Sequence, residues 1–164
     1  MALALALIFR KPIVGLIPLI ERIKFPGGEV NLRRQLEETS SQAERSLPSQ
    51  DPPSIDERIQ DIAESYPRGA MIESWLLIER ELIDVAEGLD VPISPSQRRS
   101  PRQVAQALAK AGILDESLVK IVSDLQSIRN SVVHSISISP SRDDAREFAT
   151  TATRVVAAIR EKRE

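Results

Sequence analysis

An all-α fold is what this sequence predicts, and three observations predict it. Apolar residues make up 41% of the chain but include only five aromatics, one Trp, one Tyr and three Phe, so the core has to be built from Leu, Ile, Val and Ala. Helix start and stop signals recur from Ser54 onward. Between them apolar residues return at three- and four-residue intervals, and strand-like alternation is confined to Val132–Ile138, itself better read as the end of a helix. The expected architecture is an antiparallel bundle of four to five helices, preceded by an apolar N-terminal segment and a flexible linker.

Residues 1–36 form that first segment. Met1–Phe9 is an unbroken apolar run, Arg10-Lys11 follows, and Ile13–Ile23 is again mostly apolar. Nine apolar residues do not span a bilayer, which needs about 20. A signal peptide carries its positive charge ahead of the apolar run. Here the order is reversed, as where a membrane helix leaves on the cytoplasmic side. Pro12, Pro18 and Pro26-Gly27-Gly28 argue against one long straight helix. Three readings stay open: the end of a membrane helix, a segment lying in the interface, and a helix packed on protein. The first two imply membrane association through residues 1–24 and a place in the cytoplasm, anchored to the inner face of the membrane.

Residues 37–53 are polar and rich in Ser and Pro, and read as a flexible linker. Charge shifts at the same point. Residues 1–34 hold six basic and two acidic side chains, and residues 35–53 hold one basic and four acidic. The formal net charge of −2 argues against a general nucleic-acid coat, so any such role rests on local patches. With no cysteine, a disulfide framework, a thiolate metal site and a thiol nucleophile are all excluded.

The folded domain is expected over 54–164. Ser54 and Glu57 read as a capping box, followed by Ile55, Ile59 and Ile62 at helical spacing. After Pro67 a longer helix is expected over 68–87, with Ile72, Trp75, Leu76, Leu82, Ile83 and Ala86 as its apolar stripe and Gly88 as its end. A loop with the basic pair Arg98-Arg99 leads to Ser100-Pro101, an N-cap and first helical position, and to a short helix ending near Gly112. Asp115 caps a helix expected to run to about Ser137. Ser141 and Asp144 cap the last one, whose apolar positions include Ala145, Phe148, Ala152, Val155 and Ile159. Glu81, Asp143 and Asp144 read as solvated faces and caps.

One helix carries the chemical signal. With successive residues 100° apart, Leu118, Ile121, Val122, Leu125, Ile128, Val132 and Ile136 share one side. His134, the only histidine, falls about 180° from Leu125, with Asn130 one turn before it on the same outer face. An ordinary exposed histidine is the plain reading, and a histidine presented to a partner surface is the sharper one. Arg129 lies about 40° from Leu125, at the flank of the stripe, and about 140° from His134. Arginine offers a fixed fork of donors to phosphate oxygens, and an imidazole can move protons to and from ribose and leaving-group oxygens. Joint action requires the Arg129 side chain to reach round the helix, or the helix to loosen. Glu79, in the middle of the expected stripe on the 68–87 helix, needs a partner if it is buried, and Arg129 is the candidate. Metal or cofactor chemistry has no signature here: with one His and no Cys there is no His/Cys cluster, no G-x-S-x-G nucleophile elbow and no phosphate-binding glycine loop.

Arg129-Asn130-x-x-x-His134, late in the penultimate long helix and followed by Ser139-Pro140 and a closing helix with Ala145 and Phe148, resembles the Arg-polar-x-x-x-His motif of HEPN domains, small helical bundles of prokaryotic defence and toxin systems. The resemblance covers about residues 55–163. It implies Arg129 and His134 as the catalytic pair of a metal-independent endoribonuclease acting on RNA, Asn130 in support, no cofactor, and a homodimer with the two motifs facing each other. It also implies a nucleotidyltransferase-type antitoxin as a class of partner. The alternative is a non-catalytic helical interaction or regulatory module tethered at a membrane, which needs the fold but not the pair. The N-terminal segment generates a first test. In liposome flotation the full chain should rise with the vesicles and a chain beginning near Ser54 should stay at the bottom; if both stay down, the anchor reading fails.

Overall fold

The computed structural model describes residues 28–47 and 57–163. Among them the chain is all-α, with six α-helices: α1 (Gly28–Ser46), α2 (Glu57–Ser65), α3 (Pro67–Gly88), α4 (Pro101–Lys110), α5 (Glu116–His134) and α6 (Arg142–Arg160). Short 3-10 turns cover Gln97–Arg99 and Glu161–Arg163. The apolar run and basic residues of 1–24, the Ser54 cap and residues 48–53 of the expected linker lie outside the described residues. Among the described residues, no helix is long and apolar enough to cross a membrane.

The punctuation read from the sequence works as chemistry. Pro67 sits in the first turn of α3, where its missing N–H costs nothing, and Gly88 is the last helical residue. Ser100, whose side chain makes no capping hydrogen bond, and Pro101 open α4, and Gly112, just past its end, takes a left-handed φ of 75°. At the start of α6, Ser141 and Asp144 form a reciprocal capping box: each side chain accepts from the other's backbone N–H.

The core is aliphatic, as expected, around Trp75 and Phe148, both fully buried. Helix α3 makes its most extensive contact with α6 and also packs on α2, α4 and α5, while α1 packs on α5 and α6. Three sequence readings need correction. The first is the stripe of α3. Met71, Trp75, Ile78, Leu82 and Val85 are fully buried, whereas Leu76 is exposed and Ile72 and Ile83 are only half-buried. Apolar residues occur nearly all round this helix, so periodicity alone offers two stripes, and its packing partners select one.

The second correction concerns 37–53. Residues 37–46 are not a linker but the second half of α1, and 28–36, assigned above to the N-terminal segment, are its first half. Leu32, Leu36, Thr39, Ala43 and Leu47 are buried along one face. Arg33 pairs with Asp144 at 3.8 Å, Arg154 with Glu44 at 3.7 Å, and Lys120 donates to Gln42 at 3.0 Å, so α1 is fastened to α6 and α5 by polar contacts too. Burial raises the Glu147 carboxyl above its ordinary range, against a Ser40 hydroxyl that hydrogen-bonds it from α1. The folded unit therefore begins before Ser54, and a shortened chain for the flotation comparison has to start at Gly28.

The third correction is Glu81. It is not solvated: it is 6% exposed, and its Oε2 accepts from Arg160 Nη2 at 2.7 Å, while Oε1 has no hydrogen-bond partner among the described residues. A carboxylate taken out of water needs such a cation, and Arg160 supplies it from the last turn of α6.

The place of α1 in the core is testable. Leu36→Ala should lower the unfolding free energy by about 2–5 kcal/mol, the usual cost of truncating a fully buried leucine. Urea denaturation followed by circular dichroism measures it; a loss below ~0.5 kcal/mol would mean that α1 does not belong to the cooperative unit.

Candidate functional site

Helix α5 positions the residues singled out from the sequence. Asp115 caps it, its carboxylate accepting from the Leu118 N–H at 2.8 Å and from the Ser117 hydroxyl at 2.6 Å. The Ser117 hydrogen bond, helped by the Leu118 N–H, holds the Asp115 carboxyl below the usual carboxylate range against the opposing effect of partial burial. Leu118, Ile121, Val122, Leu125, Ile128 and Val132 are buried, as expected of the stripe.

Ile136 does not continue that stripe. The helix ends at His134 rather than Ser137, because Ser135 turns extended (φ −110°, ψ 115°) and its N–H closes the last turn on Ser131 O. Ile136 is 98% exposed, and Ile138 is the residue that enters the core. Alternating Ser and Ile with Pro140 beyond is poor helix sequence, which is why the chain leaves the helix here.

His134 is thus the last helical residue, exposed, and its side chain makes no hydrogen bond to any described residue. Asn130 lies one turn before it. Arg129 Nη1 donates to Asn130 Oδ1 at 2.9 Å, and Arg129 Nε is buried without a partner. The helix stays regular to its end, so Arg129 and His134 leave it about 140° apart. The hydrogen bond draws the guanidinium from the edge of the core toward Asn130, on the face that also holds His134. The structure therefore joins Arg129 and Asn130 directly, and among the described residues no side-chain hydrogen bond links either to His134.

Glu79 is not part of this group. It is half-buried and accepts from Trp75 Nε1, one turn earlier on α3; among the described residues it forms no ion pair with Arg129. A fully buried indole N–H needs an acceptor, and the i+4 carboxylate is the nearest one its own helix offers.

Sequence reasoning missed Arg68. Its Nη2 donates to Ile138 O at 2.5 Å and to Ser135 O at 3.4 Å, fastening the loop after His134 to the start of α3. A guanidinium beside the C-terminal end of α5 also meets the negative end of that helix. Nothing local announces this contact, since 70 residues separate Arg68 from Ile138. Elsewhere, a cleft of about 470 Å³ opens between α3 and the start of α4, with Leu76, Ile83, Arg80, Arg98 and Arg99 on its walls. Arg98 pairs with Glu87. Among the described residues no three His, Asp or Glu side chains gather as a metal site. Comparison of the chain with protein-family models, curated proteins and solved structures finds no significant match.

The cap that sets the start of α5 gives a pH-dependent test. Asp115→Ala should cost about 1 kcal/mol of stability at neutral pH. A carboxyl held low in the folded state contributes its stability above the ordinary carboxylate range and loses it as pH falls through the depressed value. The gap between wild type and variant should therefore narrow in acid. Urea denaturation across an acid-to-neutral pH series checks it, and a gap that widens in acid would refute the assignment.

Proposed function

We propose that this chain is a HEPN-like domain, an antiparallel helical bundle that works as a homodimer, and that it cleaves single-stranded RNA without a metal. The observation that carries the reading is the Arg129–Asn130 hydrogen bond at 2.9 Å, with His134 exposed at the end of the same helix. Asn130 orients the guanidinium, which leaves Nη2 to meet a phosphate while Nε stays buried. His134, with its ring nitrogens free of described partners, can take the proton from a ribose 2′-hydroxyl as that oxygen attacks the adjacent phosphorus. The leaving 5′-oxygen must gain a proton as its bond to phosphorus breaks. One chain holds a single imidazole, and a second copy across a twofold axis supplies the other.

Surface charge supports the reading. Arg80, Arg99 and Arg102 are exposed, and none makes an ion pair with a described residue, so they are available to a phosphate backbone despite the acidic balance of the whole chain.

The test is cleavage of a panel of single-stranded RNAs by the full chain in the presence of EDTA. His134→Ala should lower the rate by about 10²–10⁴-fold, the usual cost of removing a general acid–base group, while unfolding at the same urea concentration as wild type. Asn130→Ala should lower it less, by releasing the guanidinium rather than removing it. A folded, dimeric wild type no more active than His134→Ala would favour the non-catalytic module instead.

A further inference from the structure

Tyr66, the only tyrosine, stands at the turn between α2 and α3 with 58% of its surface exposed. Its ring rests on Gly69: a Cβ added there would lie 2.1 Å from ring atom Cδ1 and 2.6 Å from Cε1. Only the absent side chain of glycine admits this seat, so one part of the ring is braced by the first turn of α3 while the rest faces outward. Arg68, between the two, donates to Ser135 O and Ile138 O, so the Tyr66–Gly69 turn is tied to the loop that directly follows His134. Ile136, in that loop, is 98% exposed. The acids that flank this turn in sequence, Glu64 and Glu73, are paired with Arg142 and Arg146 and with Arg58. A braced aromatic ring whose flanking carboxylates are already paired with arginines suits a ligand that combines flat bases with a negative backbone.

We propose that Tyr66 is a stacking platform for an unpaired base of single-stranded RNA, beside the loop that directly follows His134. The proposal rests on the RNA reading above for the identity of the ligand, and adds a binding residue that the motif does not contain. Stacking on a ring already seated in place avoids the cost of ordering it on binding. Because every base has a π-face, the platform should tolerate any base and reject a strand without bases.

The experiment measures binding rather than cleavage. A fluorescein-labelled single-stranded RNA and an abasic phosphate oligomer of equal length are titrated by anisotropy at low salt, with the full chain carrying His134→Ala so that the RNA is not consumed. In that background Tyr66→Ala should weaken RNA binding by about 5- to 150-fold, the loss expected for one base–aromatic stack. Tyr66→Phe and Tyr66→Trp should bind as the parent does. Gly69→Ala, which unseats the ring, should follow Tyr66→Ala while keeping its helical circular dichroism. Binding of the abasic oligomer should be unchanged by all four. Undiminished RNA binding in Tyr66→Ala, equal losses for RNA and abasic oligomer, no RNA binding by the parent chain, or a change of oligomeric state on sedimentation would each overturn the platform. Tyr66-dependent binding by a wild type that cleaves nothing would refute the nuclease reading and keep the platform. Cleavage with Tyr66-independent binding would do the reverse.

Discussion

The contact between α3 and α6 is the constraint on which the rest of this structure depends. Those two helices carry the two largest fully buried side chains, Trp75 and Phe148, in a chain with only five aromatics. Once α3 turns its Met71–Val85 face inward, several consequences follow. Ile72, Leu76 and Ile83 are left at the margin, where Leu76 and Ile83 help wall an open cleft instead of the core. The buried indole N–H has to be satisfied, and Glu79 one turn on accepts it. Glu81 rotates inside with the same face and requires a cation, which α6 provides at its far end through Arg160. Two carboxylates only two positions apart thus serve different structural needs, because 200° of helix rotation separates them.

The site follows from the placement of α5 by three independent devices. Asp115 sets where the helix starts, the buried stripe sets its rotation, and Arg68 holds the segment that leaves it. Together they determine what Arg129, Asn130 and His134 can reach. Arg129 is the residue that gains most from this frame. Its stem lies at the edge of the core, and its length lets the charged end cross to the outer face, where a one-residue neighbour catches it. A shorter cation at the same position could not both pack and reach.

Helix α1 shows where composition misleads. Ser, Glu and Gln in 37–46 look like solvated chain because most of them are exposed. What matters is the sparse row Leu32, Leu36, Ala43 and Leu47, with Thr39 completing it, which falls on one helical face and is buried against α5 and α6. The pattern was present in the sequence. It straddles the polarity change between residues 36 and 37, so neither side alone shows a full period. An element with one narrow buried edge and a wide polar surface is the case in which average polarity says least.

The sequence by itself determined the helical class, the caps at Asp115 and Ser141, the breaks at Pro67 and Gly112, and the outward position of His134. Each of these is local: a side chain bonding a backbone group within three residues, a ring that blocks a hydrogen bond, or a residue set opposite a dense apolar stripe. The tertiary structure alone decided which stripe of α3 is inside, that Glu81 rather than Glu79 needs a cation, that α1 belongs to the core, and that Arg68 fastens the loop beyond His134. Those outcomes depend on which surfaces meet across separations of about 70 to 80 residues, as in the Arg68–Ile138 and Glu81–Arg160 contacts. Helical periodicity constrains one element at a time, and it carries no term for the partner that an amphipathic face will find.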